Sequence, residues 1–161
     1  MQTTCRIGVV SDTHGRLDPS VPELFRGVAH IIHAGDIGAP WILADLSRVA
    51  PVTAVRGNVD RDHWAWDLPS QAELEVCGTR ILVGHAKEEL LRVNSPKAEG
   101  YGVVVTGHSH KPAVSWHEDV LYLNPGSAGP RRFVLPRACA LLTVGEGLPS
   151  AEIVVLEEPR R

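Results

Sequence analysis

The sequence predicts an α/β protein made of two mixed sheets packed face to face, with helices on the outside. Two observations carry this. The first half alternates apolar runs with helix-compatible stretches, as parallel strands joined by crossover helices do. The second half strings short apolar runs together through Gly, Pro and Asn turns, as antiparallel hairpins do.

In the first half the apolar runs 6–10, 30–33 and 52–55 read as strands. The stretch 19–26 has Pro19 and Pro22 near its start, where a helix tolerates proline. The stretch 40–49 spaces Trp41, Leu43, Leu46 and Val49 in a mixed helical pattern. In the second half, 72–76 and 80–83 flank Cys77-Gly78-Thr79 and predict a hairpin. A short helix is expected over 87–93. Strands are then expected over 103–106, 113–116, 120–123, 139–144 and 153–156. With 161 residues, 43% of them hydrophobic and 22% charged, one domain over 1–161 can bury a sizeable core.

Composition also excludes function classes. A net charge of −3 and a pI near 6.2 lack the basic footprint of a nucleic-acid binder. No apolar stretch approaches the ~18 residues of a membrane span, and no secretory signal precedes the first strand. Cys5, Cys77 and Cys139 are odd in number and show no CxxC spacing. They read as reduced, partly buried thiols, and with them the chain reads as cytoplasmic.

Five short blocks sit at the ends of the predicted strands: Asp12-Thr13-His14, Gly35-Asp36, Gly57-Asn58, Gly84-His85 and Gly107-His108-Ser109-His110. Residues i and i+2 of extended chain point to one side, so Asp12 with His14, and His108 with His110, can each converge on one point. Asp36 and Asn58 alone would pass for turn residues, and His85 for a structural histidine. Their common position at strand ends, where α/β sheets collect ligands, changes that reading. Together the blocks supply two carboxylates, one amide and four imidazoles, a ligand set for two divalent cations. Asp36, placed centrally, can bridge them with its two oxygens. Two such cations against two carboxylates leave a bare charge of about +2, which attracts an anionic phosphoester.

Absent motifs narrow the class. There is no G-x-x-x-x-G-K-[ST] phosphate loop, no G-x-G-x-x-G after a strand and no H-E-x-x-H. Pro125-Gly126-Ser127-Ala128-Gly129 lacks the first glycine of a nucleophile elbow, so Ser127 reads as a turn residue. His30, His33 and His117 read as structural. His63 follows Asn58 closely enough to be a substrate contact. Trp64 and Trp66 can wall a pocket, enter the core or meet another subunit.

The ordered blocks resemble the calcineurin-like metallophosphoesterase superfamily over positions 12–110. Asn124-Pro125-Gly126-Ser127 further resembles its small prokaryotic phosphodiesterases. The resemblance implies a four-layer αββα sandwich. It also implies one cation on Asp12, His14, Asp36 and His110 and another on Asp36, Asn58, His85 and His108. Asp36, Asn58 and His85 would then act in catalysis through metal and substrate positioning, and a hydroxide bridging the cations would be the nucleophile. Manganese is the expected metal, with iron, nickel or zinc as alternatives. Two positions depart from the family pattern. Val59, followed by Asp60, stands where many members carry a histidine that aids the leaving group. His85-Ala86-Lys87 replaces a His-Gly-His segment, which makes Lys87 either a phosphate contact or a solvated side chain. Asp60, His63 and Lys87 are therefore the candidate substrate contacts.

The expected activity is hydrolysis of small phosphodiesters. A phosphomonoesterase or nucleotidase is the second enzyme reading, and a non-catalytic interaction scaffold on the same fold is the third. A homo-oligomer is compatible with exposed tryptophans.

Overall fold

A computed structural model of the chain describes residues 3–158. Ten strands form two five-stranded sheets. The first sheet takes β1 (Thr4–Val10), β2 (His30–His33), β3 (Val52–Ala54), β9 (Arg137–Gly145) and β10 (Ser150–Glu157), in the order β10-β9-β1-β2-β3. The second takes β4 (Gln71–Val76), β5 (Thr79–Gly84), β6 (Val103–Val105), β7 (Ala113–His117) and β8 (Val120–Asn124), in the order β4-β5-β6-β8-β7. Four short helices join them: α1 (Val21–Leu24), α2 (Pro40–Ser47), α3 (Lys87–Val93) and α4 (Pro96–Glu99). All ten expected strands form. The helix expected over 19–26 shortens to α1, and α4 was not anticipated by the sequence pattern.

The burial pattern explains the layering. Ile7, Val9, Ile32, Val55, Ile81, Val83, Val103, Val105, Leu121 and Leu142 are buried together between the sheets. Strand side chains alternate, so the opposite faces also need cover. Phe25, Ile42 and Leu46, at or on α1 and α2, cover the outside of the first sheet. Leu90 from α3, with Tyr101, covers Leu82, Val104 and Tyr122 on the second. Each fully buried Leu, Ile or Phe contributes about 1.5–3 kcal/mol. Gly8 has a local reason to be glycine, since a Cβ there would collide with the Phe25 ring.

Strand direction places the five blocks. In the first sheet β1, β2 and β3 are mutually parallel, so the segments after Val10, His33 and Ala54 emerge along one edge. In the second sheet β5, β6 and β8 are parallel, so those after Gly84, Val105 and Asn124 do the same. Hairpin turns supply the antiparallel parts. Cys77-Gly78 joins β4 to β5 and Glu118-Asp119 joins β7 to β8, all four with positive φ as a type I′ turn needs.

The cysteine expectation is corrected in part. Cys139 is a free, buried thiol, but Cys5 and Cys77 form a disulfide with Cα atoms 6.2 Å apart. It ties β1 of one sheet to the β4–β5 turn of the other. The partners are 72 residues apart and meet only because the sheets stack, so no local spacing announces them.

Closing a loop of that length stabilises the folded state by about 4 kcal/mol on the chain-entropy account. Reductant, or Cys5→Ser, is therefore expected to lower the denaturation midpoint. Peptide mapping without reductant is expected to recover the Cys5–Cys77 linkage. An unchanged midpoint with free thiols at both positions would contradict the pairing.

Candidate metal centre

The two edges meet, and their loops are bonded to one another. Along the first edge, Asp12 N–H donates to Gly35 O (3.0 Å), His14 N–H to Asp36 O (2.9 Å) and Gly15 N–H to Ile37 O (2.8 Å). Across the sheets, His108 N–H donates to Asp12 Oδ2 (3.0 Å). Gly57 and Gly107 permit this closeness. A Cβ at Gly57 would run into Asp36, and one at Gly107 into Ser11 and Asp12.

The candidate ligands form two groups. Ligand atoms of Asp12, His14 and His110 lie within 4.8 Å of one another, and so do those of Asp36, His85 and His108. Asp36 Oδ2 faces both groups, 3.6 Å from His14 Nε2 and 3.1 Å from His85 Nε2. Its other oxygen accepts from Val59 N–H (3.0 Å). Oδ2 therefore faces both groups, while Oδ1 carries a backbone bond and keeps a second lone pair. Asn58 is exposed beside His85, where both line one cleft.

The residues present fit cations on three counts. Asp12 Oδ1 and His85 Nε2 are buried with no hydrogen-bond partner among the described residues, although each lies near opposite charge. Buried polar atoms are ordinarily paired, so these two atoms are set for another partner. Next, the remaining atoms of the same side chains are tied back. Asp12 Oδ2 accepts from the Ser11 hydroxyl at 2.7 Å, and His85 Nδ1–H donates to Ala34 O at 2.8 Å. The latter bond fixes the tautomer that aims the Nε2 lone pair into the site. Finally, of the nine non-glycine residues with positive φ among those described, five are candidate ligands: Asp12, His14, Asp36, His108 and His110. Such backbone costs of order 1–3 kcal/mol per residue and persists where surrounding bonds over-determine it.

The candidate substrate contacts divide. Asp60 is almost fully buried, and its carboxylate accepts from Ile37 N–H (3.1 Å), Gly38 N–H (2.9 Å) and Gly57 N–H (2.9 Å). It clamps the second block to the third and does not face substrate, which corrects that expectation. His63 is exposed and stacks on Trp66, centroids 4.1 Å apart, outside both ligand groups. Trp64 packs into the helix-side core. Lys87 lies over the Tyr122 ring (4.8 Å) in a cleft that His108 also lines. Two residues read as structural prove to touch the segment that carries Asp12 and His14. Ser127 donates to Asp12 O (2.8 Å), and His33 meets Thr13 between Asp12 and His14. Their sequence signal was only their place at strand ends.

Charge in the site is strongly coupled. Burial opposes ionisation of Asp12, but His110, His14 and Ser11 outweigh it and hold the carboxyl well below the usual carboxylate range. Burial likewise opposes Asp36, and His85 and Val59 N–H prevail to lower it. Asp12 raises His14. For His85, burial works against the charged ring, yet Asp36 and Asp12 raise it. Burial pushes His33 the other way, down to about 4.

His14 and His85 thus hold protons more firmly than free imidazole, and an incoming cation must displace them. Below their raised values, binding releases protons and is weakened. Above those values the rings are neutral and affinity levels off. Apparent Mn²⁺ affinity is therefore expected to keep rising with pH beyond about 6.5, the free-imidazole value. Calorimetry in buffers of different ionisation enthalpy would show the released protons. An affinity independent of pH between about 6 and about 8, with no proton release, would contradict this.

Comparison with known proteins places the site in context. Residues 5–147 match the calcineurin-like phosphoesterase superfamily domain. A probable metallophosphoesterase of Methanothermobacter thermautotrophicus is 36% identical, covering 92% of this chain and 91% of its own. A phosphodiesterase of Methanocaldococcus jannaschii is 26% identical, covering 95% and 94%. Vacuolar protein sorting 29 from Cryptosporidium parvum shares the fold, with a TM-score of 0.74, 17% identity and coverage of 96% and 99%. With its domain match spanning most of the chain and its blocks gathered at one sheet edge, this protein belongs to the calcineurin-like phosphoesterase superfamily.

Proposed function

We propose that this metal-dependent phosphoesterase acts on phosphodiesters at a centre for two divalent cations within one domain. Asp12, His14, Asp36 and His110 would hold one cation, and Asp36, Asn58, His85 and His108 the other. The observation that carries this is the pair of ligand groups sharing Asp36 Oδ2, with Asp12 Oδ1 and His85 Nε2 buried and unpartnered. Bound there, two cations supply Lewis acidity toward a phosphoryl oxygen and an acidified water. Imidazole, carboxylate and amide donors suit manganese, with iron, nickel and zinc as alternatives. The fold alone does not decide function, since a protein named for vacuolar sorting shares it. The filled ligand positions favour hydrolysis over the scaffold reading.

The surroundings favour diesters over monoesters. A cleft of about 490 Å³ opens on the His108 side, lined by Lys87, Arg92, Lys111 and Tyr122. A second of about 290 Å³ opens on the Asn58 and His85 side, with Arg56 at its wall. A diester has an arm for each, and a monoester has one arm only. Lys87, Arg92 and Lys111 are placed to meet a phosphate or a polar arm in the larger cleft, against two carboxylates, Glu88 and Glu89, in the same lining. Compartment is a separate matter. Among the described residues no helix is long and apolar enough to cross a membrane.

Protein reconstituted with Mn²⁺ is expected to hydrolyse an aryl diester faster than the monoester of the same alcohol, and to lose activity on metal removal. Asp36→Asn should cost at least about 100-fold in kcat while the protein stays folded, because both ligand groups lose their shared anion. Equal rates in thoroughly metal-free protein, or a monoester preference, would overturn the proposal.

Leaving-group behaviour is a further test. The Val59 side chain cannot donate a proton, and no imidazole replaces it. A well-placed general acid gives about 10²–10⁴-fold. Rate is expected to fall steeply as the leaving alcohol becomes less acidic, and Val59→His to help the poorest leaving groups most. A flat dependence with chemistry rate-limiting would reveal another proton donor.

A further inference from the structure

Three hydrogen bonds run in one direction through the buried base of the site. Gly35 N–H donates to His33 Nδ1 (3.2 Å), which places the ring proton on Nε2. Nε2–H then donates to Thr13 Oγ1 (2.9 Å), and the Thr13 hydroxyl donates to Ile37 O (2.8 Å). A backbone N–H can only donate and a carbonyl can only accept, so the two ends fix every proton between them. No other arrangement satisfies all three bonds. His33 and Thr13 are both fully buried.

The placement gives the bonds their meaning. Thr13 lies between the candidate ligands Asp12 and His14, while Gly35 and Ile37 lie on either side of Asp36. All three of these ligands have positive φ, at 54°, 46° and 54°. Two short segments of costly backbone are therefore tied together, the first through the Thr13 side chain and the second through backbone groups of Gly35 and Ile37, with His33 between. A valine or leucine at 33 would fill the same core volume without a polar group to satisfy. The imidazole adds a donor and an acceptor at the correct separation to reach one segment from the other.

We propose that His33 and Thr13 form a positioning relay that reinforces the backbone bonds between the Asp12/His14 loop and the Asp36 loop, and so tunes the cation affinity of the Asp12, His14 and His110 group. This rests on the two-cation reading above. Neither side chain touches a cation. Each acts on ligands through the backbone that carries them, as outer partners of metal ligands commonly do at about 10–100-fold in affinity.

The test is Mn²⁺ calorimetry on the full chain, with thermal denaturation of the same metal-free samples. Thr13→Val keeps the shape and removes both hydroxyl bonds. It is expected to weaken one of two Mn²⁺ sites by about 10–100-fold. Thr13→Ser restores the hydroxyl and should stay within about threefold of the parent, a rescue that loss of packing would not produce. Thr13→Val leaves His33 Nε2–H without a partner and could fail to fold. Thr13→Val with His33→Leu removes the Thr13–His33 pair together, so only the Gly35 N–H loses its acceptor, and should show the same weakened site. Parent-like affinity at both sites in a folded variant would overturn the relay. So would failure of both variants to fold, since the relay would then be a folding element and no tuner of affinity. A parent that binds no Mn²⁺ would instead defeat the two-cation reading, and that result is seen before any variant is made.

Discussion

Two carboxylates held out of water on adjoining loops repel one another, and positive charge close by offsets that cost. Asp12 and Asp36 are in this position, and four imidazoles surround them. His14 Nε2 lies 3.8 Å from Asp12 and 3.6 Å from Asp36, and His85 Nε2 lies 4.0 Å and 3.1 Å from the same pair. Much else in the molecule serves this arrangement. The parallel strands of both sheets deliver their ends to one edge. Gly57 and Gly107 let the loops close, and Asp60 and Ser127 hold their backbones. Protons on His14 and His85 can supply the compensating charge in the protein alone. Divalent cations held by the two ligand groups would supply it more strongly.

Strain follows from the same requirement. An Asp or His in left-handed backbone is uncommon, and here five occur in the candidate ligand set. Short loops after strands must turn at once if their side chains are to face back over the sheet edge. The turn is sustained by bonds between loops, such as His14 N–H to Asp36 O and His108 N–H to Asp12 Oδ2, more than by bonds within any one of them. The site is therefore a property of both sheets together, and the sandwich core that packs them is part of what holds the ligands in place.

This division explains what was legible in the sequence. Strand periodicity and turn residues located all ten strands, because alternation and hairpin chemistry are local. The seven candidate ligands were legible because each sits at the end of a strand in a short recognisable block. Tertiary facts were not. The Cys5–Cys77 pair needs two stacked sheets to exist. Asp60 looked like a substrate contact because it neighbours Asn58, yet three backbone N–H groups claim its carboxylate. His33 looked like an ordinary strand residue, since nothing local shows that Thr13, twenty positions earlier, lies against its ring. Short helices such as α4 fell below what periodicity can reveal. For Cys5, Asp60 and His33 a polar or sulfur atom found a partner across sequence distance, where pattern reading has no purchase.

The proposed sharing of Asp36 Oδ2 by two cation sites is open to direct test. Anomalous diffraction from crystals grown with Mn²⁺ tests it most directly. Two peaks are expected roughly 3.5–4 Å apart, one against Asp12, His14 and His110 and the other against Asn58, His85 and His108, with Asp36 Oδ2 between them. A single peak, or two peaks with Asp36 turned away from either, would contradict it.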